Sequence, residues 1–145
     1  MKKRIAVAVS LALIVFVSAF YIHYQHQERI RATLAYGQLA LLPPAVTNLE
    51  VDTEGGLFSR TFWLTFQASD TEIDSWLKHS PTLTRIPAAQ LTRSDYQSLS
   101  APTWFTPEVI RQGEVFRLAV DKEAMYGTVW VDKKTNTVYV KVSHS

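Results

Sequence analysis

Cysteine is absent from the 145-residue chain, which excludes disulfides, a lipid-modified cysteine as a membrane attachment, and thiolate metal sites. Glycine is scarce, at five residues, and only Gly37 precedes the first proline, Pro43. No phosphate loop, G-x-S-x-G nucleophile turn or H-E-x-x-H zinc motif is present. An excess of one charge is missing too: Lys2, Lys3 and Arg4 supply three of the 15 basic residues, leaving 12 against 13 acidic ones. Without a Lys/Arg run beyond that cluster, no face is available to displace phosphate counterions, so nucleic acid is not an expected partner. No internal repeat or low-complexity stretch occurs, and the length leaves room for one compact domain.

What the chain does have is an apolar run over residues 5–22, preceded by Lys2, Lys3 and Arg4 and closed by Tyr21 and Tyr24. Eighteen helical residues span roughly 27 Å, close to a hydrocarbon core. The basic cluster and the interfacial tyrosines predict residues 1–24 to be a cytoplasmic tip and a transmembrane helix, N-terminus inside. The lipid bilayer is thus an expected partner, and a single-pass protein of a bacterial inner membrane with its domain in the periplasm the expected setting. The competing expectation is a cleaved secretory signal, with Val17 and Ala19 before a cut at Phe20, releasing a secreted protein.

Residues 25–44 read as a juxtamembrane helix and a linker, the helix running on until Pro43 and Pro44 stop it. Ile30, Leu34, Gly37 and Leu41 fall on one narrow stripe. Such a stripe needs a cover, supplied by the chain's own domain, a second copy, or another membrane protein.

Residues 45–145 are expected to form an extracytoplasmic α+β domain, a small, mostly antiparallel sheet of about five strands with one helix packed on it. Alternation over 45–54 and 60–68 around Gly55 and Gly56 predicts a hairpin. Ser69 and Glu72 form a capping box ahead of Ile73, Trp76 and Leu77 at helical spacing. Thr106, Pro107 and Gly113 bracket a short helix or turn. Phe116, Leu118 and Val120 alternate, and residues 128–131 and 138–142 make a hairpin in which Asn136 suits a left-handed position. Residues 80–106, with Pro81, Pro87 and Pro102, are the least regular.

No catalytic, cofactor or metal residue is assigned. Glu50, Asp52 and Glu54 form an acidic strand face whose side chains are too spread to wrap a cation alone. Asp70, Glu72 and Asp74 complement a helix N-terminus. His23 and His26 give two ligands where a metal needs more, and His79 and His144 have no neighbouring nucleophile in sequence. The signal for recognition is aromatic: Trp63 and Trp130 lie on strand faces opposite the main apolar residues, and Trp104 with Phe105 lies among prolines. The expected function is therefore a membrane-anchored interaction or accessory domain for another membrane or periplasmic protein, involving Trp104, Phe105, Trp63 and Trp130 with Ile30, Leu34 and Leu41. The alternatives are a secreted small-ligand or glycan binder and, less favoured, a hydrolase assembled from scattered Ser, His and Asp residues.

Overall fold

A computed structural model of the chain describes residues 2–56, 58–96, 100–120 and 124–145, with side chains given except at 2–9 and 94. The protein is α+β: one long helix, α1 (Lys2–Gly37), then a six-stranded antiparallel sheet with a second helix, α2 (Asp70–Lys78). The strands are β1 (Thr47–Gly55), β2 (Arg60–Gln67), β3 (Leu83–Arg85), β4 (Gly113–Ala119), β5 (Met125–Asp132) and β6 (Thr137–His144), ordered β1-β2-β6-β5-β4-β3. The β1–β2 hairpin and the consecutive strands β4, β5 and β6 become one sheet because β6 also pairs with β2, with Leu64 opposite Val140 and Val129 opposite Val140 on its other side, and β3 adds to the β4 edge. The expected five strands fall one short, since β3 has only three residues, too few for a legible alternation.

Helix α1 continues past residue 24 without a break, as the lack of proline requires, but it does not reach Pro43. It ends at Gly37: Gln38 turns left-handed (φ 49°), its N–H bonds the Ala35 carbonyl, and the Leu39 N–H reaches back to the Leu34 carbonyl at 2.9 Å. This pair of bonds closes a helix end and brings Leu39 onto Leu34. Leu41 therefore leaves the stripe and is 84% exposed. Ile30 and Leu34 are buried on the sheet of their own chain. Among the described residues no helix is long and apolar enough to cross a membrane; Met1, and the side chains of Lys2, Lys3, Arg4 and the first residues of the apolar run, lie outside the described set.

Within α1, Arg29 pairs with Asp52 of β1, Tyr36 stacks on Phe62 of β2, and Gly37 lies against Val142 of β6. Eight residues of helix advance about 12 Å, and these strands lie two spacings of about 4.8 Å apart. The helix consequently crosses the strands at a steep angle and leaves the domain over the β1 edge.

The sheet is buried on both faces. One carries Leu64, Phe66, Val129, Val138 and Val140 beneath α1 and α2, where Ile73 and Trp76 are inserted. The capping box of α2 forms as expected, Ser69 and Glu72 exchanging backbone bonds. Trp76 also donates to the Ala40 carbonyl at 3.0 Å, and Ser80 accepts from the Ala40 N–H, so α2 holds the strap that follows α1. The other face carries Trp63, Val115 and Trp130, and Ile86, Leu91, Tyr96, Ala101, Trp104, Phe105 and Ile110 cover it from an irregular third layer. Strands so covered read as nearly continuous apolar runs, as in Phe62, Trp63 and Leu64. The β5–β6 turn closes with Asn136 left-handed (φ 53°), as its residue type predicts.

Candidate functional site

The irregular layer is positioned by one long-range bond. Trp130, at the centre of β5, donates its indole N–H to the Asp95 carbonyl at 2.7 Å, pinning the 3-10 turn Arg93–Tyr96 to the sheet. Asp95 in turn accepts from the Thr92 N–H (2.6 Å) and hydroxyl (2.7 Å), and these bonds hold its carboxyl below the usual carboxylate range. The far side of the layer is pinned by Phe105, whose ring stands edge-on to Trp130 at 5.7 Å and to Tyr139 at 5.5 Å. Another 3-10 turn, Pro107–Val109, stands where Thr106, Pro107 and Gly113 bracket a short helix or turn; Thr106 makes no side-chain cap bond and the turn does not propagate.

Between these two turns lies an open groove of about 940 Å³. Its lining includes the buried Phe105 and Ile110, the half-buried Tyr96 and Pro102, and the exposed Thr103, Arg93, Arg111 and Glu108. The Arg111 guanidinium donates to the Glu108 carbonyl at 3.2 Å, which fixes its orientation. The lining combines aromatic and apolar surface with a few hydrogen-bonding groups, the usual make-up of a recognition site, and its volume falls at the upper end of ligand pockets. Its described lining includes neither histidine nor lysine. Its shape and lining are suited to holding a ligand or peptide segment.

The residues singled out from sequence are distributed as follows. Trp63 and Trp130 are buried under the irregular layer at 3% and 2% exposure, and Phe105 is buried with them. Trp104 is half-buried, packed edge-on to Phe105 at 5.9 Å, and borders the layer outside the groove lining. Phe105 alone of the four aromatics lines the groove. Arg93, Tyr96 and Arg111 carried no sequence signal; the density of prolines about Trp104 and Phe105 was the only pointer to this region.

The remaining candidates are engaged locally. Glu50 and Glu54 are exposed and Asp52 accepts from Thr53 and Arg29; among the described residues no group of three or more His, Asp or Glu is placed to hold a metal ion. Lys133 bridges Asp74 (3.0 Å) and Glu114 (3.6 Å); burial pulls its ammonium down, yet the two carboxylates leave it above its ordinary value. Burial pushes the Lys141 ammonium, beside Trp63, below its ordinary value. His23 is exposed and His26 half-buried on α1. His79 and Ser75 do share a small cavity of about 250 Å³, with Oγ and Nδ1 3.5 Å apart. The same Nδ1 lies 2.7 Å from the Ser75 carbonyl. That nitrogen therefore carries its proton and cannot accept one from the hydroxyl, and Glu72 is committed to the capping box.

Compared with protein-family models, curated proteins and solved structures, the chain matches none.

Proposed function

We propose that this chain is a single-pass membrane protein, N-terminus cytoplasmic, that holds its α+β domain against the outer face of a bacterial inner membrane to engage another protein. The observation that carries the reading is α1 itself. Leu13, Ile14, Val15, Phe16 and Val17 are each more than half exposed, and five consecutive positions point to every side of a helix. A helix apolar all round belongs inside protein or lipid, and the domain does not cover it. Lys2, Lys3 and Arg4 on one side and Tyr21 and Tyr24 on the other match the flanks of a spanning segment. The groove rimmed by Arg93 and Arg111 supplies the surface for the partner.

Two measurements test this. External protease on spheroplasts should digest the domain; protection until the membrane is permeabilised overturns the orientation. Arg93→Glu with Arg111→Glu should abolish co-purification of the partner from gently solubilised membranes while the melting temperature holds, and undiminished recovery removes the groove from the interaction. The groove's volume also favours a second reading, a secreted small-ligand or glycan binder released by cleavage before Phe20. The mass of the native protein separates the two: a chain retaining Met1 supports the anchor, one beginning at Phe20 the secreted form.

A further inference from the structure

The turn joining β1 to β2 has an unusual exposed residue. Phe58 is 87% accessible, more than any other large apolar side chain among the described residues, and it contributes nothing to either core. Gly55, Gly56 and Ser59 on either side of it are nevertheless tightly held. The Gly56 N–H bonds the Ser59 carbonyl at 2.8 Å, and Gly55 adopts φ 125°, where a Cβ would come within 2.2 Å of that carbonyl oxygen. Phe58 thus presents its whole ring to the surroundings from a turn whose closure depends on glycine.

A cavity of about 370 Å³ is shared by Gln25, Glu28 and Arg29 of α1 with Glu54, Gly55 and Arg60 of the hairpin. The turn thus stands beside the first helical residues after Tyr24, and Gln25 lies about 1.5 Å along the axis from Tyr24. Because α1 leaves over the β1 edge, no other part of the sheet lies between this hairpin and the apolar half of the helix.

We infer that Phe58 is a second membrane contact: the β1–β2 turn rests on the bilayer interface with the Phe58 ring at the boundary of headgroups and acyl chains. This inference rests on the reading of α1 as a membrane anchor. Phenylalanine partitions favourably at that depth, and contact strength follows the apolar area buried there plus any attraction to anionic lipid. Here the second contribution is small, since Arg60 is offset by Glu54, and Arg29 in the same cavity by its partner Asp52. The contact is therefore driven by the ring, forms on zwitterionic lipid, and persists at high salt.

The absence of cysteine permits a direct test on the full chain reconstituted in phosphatidylcholine vesicles. An environment-sensitive fluorophore is attached at Ser59→Cys, at Leu13→Cys in the apolar helix, and at Lys134→Cys in the β5–β6 turn at the opposite end of the strands, with lipid-borne spin labels as quenchers, a mid-chain one to reach position 13 and a shallow one to reach position 59. The expected result is a blue-shifted, quenched signal at positions 13 and 59 and neither effect at 134, with the signal at 59 lost on adding Phe58→Ser. Quenching at 13 with position 59 behaving like 134 overturns the inference and leaves the anchor standing. A signal at 59 that survives Phe58→Ser also overturns it, because the ring is then not the contact. No quenching at 13 overturns the anchor reading, and this inference with it.

Discussion

Replacing Trp130 by alanine tests whether the irregular layer is a structural part of the domain or a detachable flap. Trp130 is 2% exposed, touches Phe105 edge-on, and makes the 2.7 Å bond that holds the Arg93–Tyr96 turn. Emptying a buried aromatic site costs about 3–5 kcal/mol, and the freed Asp95 carbonyl adds a smaller unsatisfied-acceptor penalty when it cannot reach water. A loss of about 4 kcal/mol is a large share of the roughly 5–15 kcal/mol that stabilises a domain. For about 100 residues it corresponds to a fall in melting temperature of about 15–30 °C. Trp130→Phe separates the two contributions, since it keeps most of the ring contact and removes only the N–H, for about 1–2 kcal/mol. Urea unfolding of the full chain in detergent, followed by far-UV circular dichroism, measures both. A Trp130→Ala loss below about 1 kcal/mol, the typical cost of any substitution, would refute the view that the layer is anchored through this side chain.

Two further outcomes follow from local geometry. Gln38→Gly should raise stability by about 0.5–1 kcal/mol, because glycine occupies the left-handed helix-end position at no steric cost; a destabilised variant in the same melt would contradict the assigned helix end. The carboxyls of Glu72, bonded by the Ser69 side chain and backbone, and of Asp95, bonded by the Thr92 side chain and backbone, both sit below their ordinary values. Their stabilisation is therefore complete above the unfolded carboxylate pKa of about 4 and is lost as pH falls through the lower folded values. Stability measured from neutral pH down to about pH 2 should decline in that window, and Glu72→Gln with Asp95→Asn should flatten the decline; an unchanged slope in the double variant would show that other carboxylates govern acid unfolding.

The strands that could be read from sequence are those with a period-two signal and a chemically specific turn. Asn136 between two valine-rich runs fixed the β5–β6 hairpin, and the Ser69–Glu72 box fixed the start of α2, because both depend on contacts only a few residues apart. The end of α1 was not legible, since Gln38 has no intrinsic bias toward positive φ and adopts it only because Leu39 gains a place in the core. The groove was the least legible feature. Arg93 and Arg111 are distant in sequence and unremarkable in type, and the bond that brings the Arg93 turn onto the sheet face runs from Trp130, 35 residues away from Asp95. The tryptophans drew attention to the sheet face that the irregular layer covers, but their size is used to hold the layer down, so the surface they create is lined mostly by other residues.

Helix α1 contains no proline or glycine before Gly37, and its last turns are held at three strands through Arg29, Tyr36 and Gly37. An anchored domain on such a stalk has no swivel. If α1 is the proposed anchor, the height of the domain and its bearing about the membrane normal are both set by the count of residues between Tyr24 and Arg29. Since each helical residue advances the azimuth by about 100°, inserting one alanine there would lift the domain by only about 1.5 Å yet swing the groove through more than a quarter of a turn. Approach in the plane of the membrane is then directional, and a membrane-bound partner on a fixed bearing would meet the groove in one register of the stalk and miss it in the next.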